Sequence, residues 1–122
     1  MSSPARSWLA ARSAGVPASL QTRMETALLE APAPAGSPVH AELAAAAIAC
    51  LQAALRIGDD RSAAIHLLAA DALITAACEA AADDGLGGVD ELMAACAPSR
   101  LDALVAEIAP AHPIHGEGDA AE

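Results

Sequence analysis

The 122-residue chain contains no phenylalanine, tyrosine, lysine or asparagine, and Trp8 is its only aromatic residue. Alanine is by far the commonest residue, with 36 copies. Because alanine buries little apolar area, we expect stability to depend on close helix packing around a limited set of larger aliphatic side chains. The length predicts one domain with a modest core rather than two domains.

Positive charge is scarce and unevenly distributed. Six arginines oppose sixteen acidic residues, which gives a formal net charge of −10. Three of the arginines precede the first acid, Glu25, so the first 24 residues are basic and the rest of the chain is strongly acidic. An acidic body repels phosphate backbones, which argues against nucleic acid as a partner.

A long apolar segment and a regular set of cysteines are both missing. The longest uninterrupted apolar run covers residues 43–51, far short of the about 20 residues that span a bilayer. Three cysteines, at positions 50, 78 and 96, do not form a disulfide framework. Arginine, serine and proline interrupt residues 7–20, so no secretory signal is evident. We therefore expect a soluble, cytoplasmic protein without a membrane partner.

Apolar residues recur at helical spacing along most of the chain, and no stretch resembles a strand. Capping serines, together with glycines and prolines that end helices, predict the boundaries. The expected helical segments are a short one from Pro4 that Gly15 closes, followed by 17–30, 38–57, 61–83, 89–96 and 99–109. The predicted fold is an all-α, up-and-down helical bundle of about five helices.

Composition divides the chain into four parts. Residues 1–31 form an N-terminal helical hairpin with one thin apolar stripe, which must dock on the rest of the chain or on a partner to be stable. Residues 32–37 are a proline-rich connector, and residues 38–109 form the core of the bundle. Residues 110–122 are expected to be a disordered acidic tail.

The helix predicted over 61–83 is apolar on all sides. A helix of that kind is expected to be buried all round, so we place it at the centre of the bundle. Gly58 is expected to end the preceding helix, and Asp59 or Asp60 to cap this one. The short loop makes the helices 38–57 and 61–83 antiparallel neighbours.

Asp71 is the polar residue of this helix that most needs an explanation. It lies mid-helix among leucine and isoleucine side chains, four residues before Thr75. A carboxylate buried there needs a partner, for which Arg23, Arg100 or a second subunit are candidates. Asp71 and Thr75 are therefore candidate binding or interface residues, facing either another subunit or a small molecule inside the bundle.

The histidines and cysteines are too dispersed to form a recognisable metal motif. In antiparallel register about the loop, Cys50 and Cys78 are more than about 10 Å apart along the bundle, which excludes a zinc site containing both. His40, Cys78 and either Glu79 or Glu42 converge near one end. We favour a helix-end histidine beside a buried thiol there, and we expect no metal and no cofactor.

Charged and glycine residues mark the end of the central helix. Asp83 and Asp84 lie at its C-terminus, where the helix dipole disfavours negative charge. Their position indicates either helix termination or a cation that the sequence does not identify. The following glycine-rich residues 85–88 are interpreted as a turn.

Arg61 and His66 form an R-x4-H pattern, with the polar Ser62 directly after the arginine. With the preceding helix, the Gly-Asp-Asp turn and the apolar helix that follows, residues 38–85 resemble the central hairpin of HEPN-like helical proteins. The resemblance implies a dimeric, metal-independent ribonuclease or toxin-type protein. In such a protein Arg61 would contact the scissile phosphate and His66 would serve acid–base or transition-state chemistry.

The sequence is therefore compatible with two functions. The leading hypothesis is a non-enzymatic helical interaction or scaffold domain that associates with a second copy of itself or with a protein partner. It rests on the thin alanine-rich core, on the central helix that is apolar on all sides, and on the lack of recognisable catalytic motifs such as G-x-S-x-G or H-E-x-x-H. The alternative is the HEPN-like ribonuclease that uses Arg61 and His66.

Overall fold

The computed structural model describes residues 3–108 of the chain. Within that range it contains six α-helices and no β-strand. In chain order the helices are α1 (Pro4–Ala10), α2 (Ala18–Glu30), α3 (Val39–Ile57), α4 (Ala63–Asp83), α5 (Gly85–Ala95) and α6 (Pro98–Ile108). The predicted all-α bundle is therefore confirmed. The predicted acidic tail, residues 110–122, lies outside the described residues.

Helices α3 and α4 form the most extensive helix pair of the bundle. Gly58 ends α3 with a φ of 77°, which suits a residue without a side chain, and its N–H donates to the carbonyl oxygen of Ala54. The loop of residues 58–62 then reverses the chain. These features confirm Gly58 as the end of the first helix and agree with the predicted pairing of the two helices.

Asp60 stabilises the turn that leads into α4. Its carboxylate accepts hydrogen bonds from the backbone N–H of Ser62 at 2.9 Å and from the Ser62 hydroxyl at 3.1 Å. These bonds favour the charged form and hold the pKa of Asp60 below its usual value. Ser62 itself occupies the N-cap position of α4 without a capping side-chain bond. The prediction that Asp59 or Asp60 caps this helix is therefore wrong, and Asp60 instead stabilises the turn before it.

The core between α3 and α4 is built largely from alanine. Leu43 of α3 and Leu73 of α4 are the largest side chains that are fully buried. The buried alanines around them are Ala44, Ala46, Ala47, Ala69, Ala76, Ala77, Ala80 and Ala81. Side chains this small let the two helices approach closely, so the pair is stabilised by dense contact along its length rather than by bulky anchors.

The N-terminal helices α1 and α2 pack against this pair. Their buried residues Ala5, Leu9, Met24, Ala27 and Leu28 belong to the same hydrophobic cluster as those of α3 and α4. A helix as short as α1 is not stable on its own in water. The hairpin was expected to dock either on the rest of the chain or on a partner, and in the structure it docks on the rest of the chain.

Helix α5 begins earlier than the sequence predicted, because residues 85–88 form its first turn rather than a separate turn. Gly88 is buried, and a Cβ atom at this position would lie 2.6 Å from the carbonyl oxygen of Ala81 and 2.7 Å from the Cβ of Asp84. Close packing of α5 on the end of α4 therefore requires glycine at position 88. That tertiary contact explains why a glycine-rich segment is helical here.

Helix α4 packs mainly against α2, α3 and α5, whereas α3 packs against all five other helices, so α4 is not the most central helix and is not buried on all sides. Leu67 is 50% exposed and Leu68 is 56% exposed. The expectation of burial all round was wrong because alanine fills the inner side of the helix. Leu73 is the one leucine of this helix that is fully buried there, so hydrophobicity alone does not reveal which side faces the core.

By length and composition alone, α3 and α4 are each long and apolar enough to cross a membrane. In the bundle the two helices pack against each other, and 39% and 33% of their most apolar segments are buried. The core helices of a water-soluble bundle meet the same criteria. The cytoplasmic location stays a prediction.

Candidate functional site

The outward face of α4 is a candidate interaction surface. At 3.6 residues per turn, the exposed residues of this helix fall on one side and the buried residues on the other. We call the exposed side the outer stripe; it consists of Ala64, Leu67, Leu68, Asp71, Thr75, Cys78, Glu79 and Ala82. Both predicted interface residues, Asp71 and Thr75, lie in the middle of this stripe.

Asp71 is exposed, which corrects the expectation of a buried carboxylate with a cationic partner. Arg23 forms its ion pair with Glu30 at 2.8 Å, and no ion pair joins Asp71 to Arg100 or to any other described side chain. The hydroxyl of Thr75 donates to the backbone carbonyl oxygen of Asp71 at 2.8 Å. The carboxylate of Asp71 is therefore hydrated and accessible to a molecule that approaches α4.

An apolar groove of about 280 Å³ borders the outer stripe on one side, between α3, α4 and α6. Its lining includes Leu51, Leu67, Ile74 and Leu101, and Asp71 is the one charged residue among the described side chains that line it. Leu67 stands at its edge with half of its surface exposed. A concave apolar surface of this size accommodates aliphatic side chains from another molecule.

A second groove of about 310 Å³ separates α4 from the N-terminal hairpin. Its lining is more polar and includes Trp8, Gln21, Asp71, Thr75 and Glu79. Asp71 lines both grooves, so it stands on the wall that they share. The outer stripe is thus accessible along both of its edges.

Arg12 connects the N-terminal hairpin to the C-terminal end of α4 through an ion pair. Its guanidinium group lies 3.8 Å from the centroid of the Trp8 ring, and its Nη1 donates to the Trp8 carbonyl oxygen at 3.3 Å. Its Nη2 lies 3.8 Å from Oδ2 of Asp83. Exposed contacts of these kinds contribute up to about 1 kcal/mol each. The structure therefore supplies a cation for Asp83 that the sequence left unidentified.

His40 has the corresponding position beside Asp84. Its side chain is buried, with only 2% of the residue exposed. Its Nδ1 lies 3.3 Å from Oδ2 of Asp84, and its Nε2 lies 3.3 Å from Oε1 of Glu91. Both ring nitrogens therefore face a carboxylate oxygen. His40 thereby connects the start of α3 to the junction of α4 and α5.

The carboxylates beside His40 are not those expected from the sequence, which placed it near Cys78 with Glu79 or Glu42. The expected set is wrong because α5 folds back against α3 and brings Glu91 to the histidine. The pairing of α3 with α4 gives no indication of that contact. Among the residues that the structure describes, no three histidine, cysteine or acidic side chains are grouped closely enough to hold a metal ion.

Arg61 and His66 lie at the N-terminal end of α4. Arg61 is exposed in the turn before the helix, whereas His66 is partly buried within the first turns. The Nδ1 atom of His66 is buried and has no hydrogen-bond partner among the described residues. No hydrogen bond joins the two side chains in the described part of the chain. The role of Arg61 and His66 in a ribonuclease site stays a prediction.

The three thiols differ in their surroundings. Cys50 is buried in the core, Cys96 is partly buried, and Cys78 is exposed on the outer stripe. Burial raises the pKa of Cys50, an effect that the nearby Arg23 partly offsets. Burial and the neighbouring Cys78 raise the pKa of Cys96. Raised pKa values make both of these thiols poor nucleophiles.

Comparison of the chain with models of known protein families gives no match, and comparisons with curated proteins and with solved structures give none either. The resemblance to HEPN-like proteins thus rests on the motif and its surroundings in the sequence. It stays a prediction.

Proposed function

We propose that the protein is a non-enzymatic helical interaction domain that self-associates as a homodimer through the outer stripe of α4. The observation that carries the proposal is the exposure of two adjacent leucines, Leu67 and Leu68, on this stripe. The apolar groove beside them extends the surface toward α3 and α6. Asp71 and Thr75 are then interface residues, in agreement with the prediction from the sequence.

Burial of these leucines provides the driving force for association. Full burial of a leucine side chain contributes about 1.5–3 kcal/mol relative to its exposed state. A symmetric dimer uses the same patch from both subunits, so two leucines per chain double this gain. A contiguous apolar surface that is rimmed by polar residues such as Asp71 and Thr75 is typical of protein interaction sites.

The thiols support placing this domain in a reducing compartment such as the cytoplasm. All three cysteines are unpaired, and Cys78 is exposed on the proposed interface. An exposed thiol of this kind persists where glutathione and thioredoxin keep cysteines reduced.

The proposal is tested by measuring the mass of the protein in solution over a dilution series, by size-exclusion chromatography with light scattering. We expect a dimer that dissociates on dilution. Leu68→Glu places a charge in the interface and is expected to raise the dissociation constant at least about tenfold.

Leu86→Glu is the matched control, because Leu86 is 84% exposed but belongs to α5 rather than to the outer stripe. This variant is expected to dimerise like the natural protein. A strict monomer at every concentration would overturn the proposal, as would equal weakening by both substitutions.

A further inference from the structure

We propose that the two copies pair their α4 helices antiparallel, with Leu67 and Leu68 at the twofold axis and Arg61 of each copy beside Asp71 of the partner subunit. This inference rests on the proposed self-association and specifies its geometry. Both halves of the required contact are exposed near the leucines, since Arg61 lies in the turn before α4 and Asp71 lies on the outer stripe after them.

The positions along the helix determine this register. When the rise of 1.5 Å per residue is extended from α4 into the turn before it, Arg61 lies about 10 Å from a point midway between the leucines, and Asp71 lies about 5 Å from it on the other side. A twofold axis through that point reverses the partner helix and brings its Asp71 to the same side as Arg61. The remaining axial offset of about 4.5 Å is one that a flexible arginine side chain spans.

The sideways positions of the residues agree with this arrangement. Viewed along α4, successive residues turn by 100°, so Leu67 and Leu68 lie on either side of a line through Ala64 and Asp71. An antiparallel twofold pairing brings each leucine against its own copy across the axis. The small side chain of Ala64 faces the partner's Asp71 and leaves space for the guanidinium group of Arg61.

A parallel pairing of the same stripes is electrostatically unfavourable. In register, it would oppose Asp71 to Asp71, Glu79 to Glu79 and Arg61 to Arg61. Like charges opposed across an interface cost free energy, and the chain already carries a net charge of −10. The antiparallel register replaces two of these repulsive contacts with two symmetry-related ion pairs.

The same charges favour a second copy of the chain over an unrelated partner. No ion pair joins Arg61 or Asp71 to another described side chain, so both groups are available at the surface. One copy supplies the leucines, the cation and the anion that the other copy needs. Such self-complementarity is the property of an isologous interface.

Charge exchange tests the register. Arg61→Glu and Asp71→Arg are each expected to raise the dimer dissociation constant at least about tenfold, because each opposes like charges twice in the dimer. The double variant Arg61→Glu/Asp71→Arg restores both ion pairs and is expected to return the dissociation constant to near its natural value. Arg56→Glu is the control, because Arg56 is exposed at the end of α3, off the stripe.

Disulfide cross-linking provides a second test. In the antiparallel register the Cys78 thiols of the two copies are about 30 Å apart. The natural protein should therefore not form a disulfide between these two thiols under mild oxidation. The thiol introduced by Leu68→Cys, with Cys78 and Cys96 replaced by serine, lies next to its copy across the axis. This variant is expected to cross-link rapidly.

The outcomes separate this inference from the proposal on which it rests. A dimer that cross-links through Cys78, or whose double charge variant stays as weak as the single ones, retains the self-association and overturns the antiparallel register. A chain that is monomeric at all concentrations overturns both. Dimerisation with rescue by the double variant and cross-linking through position 68 supports both.

Discussion

On its inner side α4 presents Ala69, Ala76 and Ala77 to the core, whereas on its outer side it presents Leu67 and Leu68 to solvent. Among the larger apolar side chains of this helix, Leu67 and Leu68 are exposed, Ile65 and Ile74 are partly buried, and Leu73 is fully buried. Small residues allow α3 and α4 to approach closely, so the inner side is stabilised by proximity. The outer side retains apolar area that only another molecule can bury, and this difference distinguishes a packing surface from an interaction surface.

The largest effect is expected from removing side-chain volume on the inner side. Leu73→Ala should lower the free energy of unfolding by about 2–5 kcal/mol, because it removes one of the two fully buried leucines and leaves a cavity. The measurement is urea denaturation at a concentration where the chain is monomeric.

Leu68→Ala is the matched change on the outer side. It should alter the stability of the monomer by no more than about 0.5 kcal/mol, since Leu68 is more than half exposed. Equal losses of unfolding free energy in Leu73→Ala and Leu68→Ala would contradict the proposed difference between the inner and outer sides of α4.

A smaller effect, with opposite signs at neighbouring positions, is expected at the start of α5. Gly88→Ala should destabilise the protein by about 1–3 kcal/mol, because the added Cβ meets the backbone of Ala81 on the inner side of α4. Gly87→Ala, where a Cβ meets nothing within 4 Å, should stabilise by about 0.5–1 kcal/mol through helix propensity. Thermal unfolding of both variants measures the difference, and destabilisation by Gly87→Ala would contradict it.

The smallest perturbation is chemical labelling of the three natural cysteines, which differ in their exposure to solvent. Iodoacetamide should modify the exposed Cys78 first, then Cys96, and Cys50 last. Because burial raises the pKa of Cys50, its thiolate fraction at a given pH is smaller than that of an unfolded thiol, so its alkylation should begin at higher pH. Mass spectrometry of quenched samples gives the order.

Protein in strong urea is the control for this labelling, since all three thiols should then react at similar rates. Early modification of Cys50 in the folded protein would place it outside the core.

Helix positions could be predicted from the sequence where local chemistry determines them. Gly58 ends α3 because its backbone conformation is one that glycine adopts without strain, and this signal is visible in a single residue. The sequence predicts a separate turn at residues 85–88, whereas their helical state depends on contact with Ala81. That contact is absent from any local pattern.

The candidate site could be located but not described from the sequence. Asp71 and Thr75 identified the helix that carries the outer stripe. Their apolar neighbours suggested burial, however, because hydrophobicity does not tell an inner leucine from an outer one. The partners of His40 were equally hidden, since Glu91 reaches it only through the fold of α5. The acids at positions 83 and 84 were the one local sign that side-chain partners such as Arg12 and His40 lay nearby.

Trp8 stands at the contact between the N-terminal hairpin and α4, beneath the guanidinium group of Arg12. It is also the only aromatic residue in the chain. The intrinsic fluorescence of the whole protein therefore comes from one indole that reports whether the hairpin is docked. Circular dichroism, in contrast, averages over all the helices. Unfolding curves from the two methods will coincide only if the hairpin and the rest of the bundle unfold as one cooperative unit.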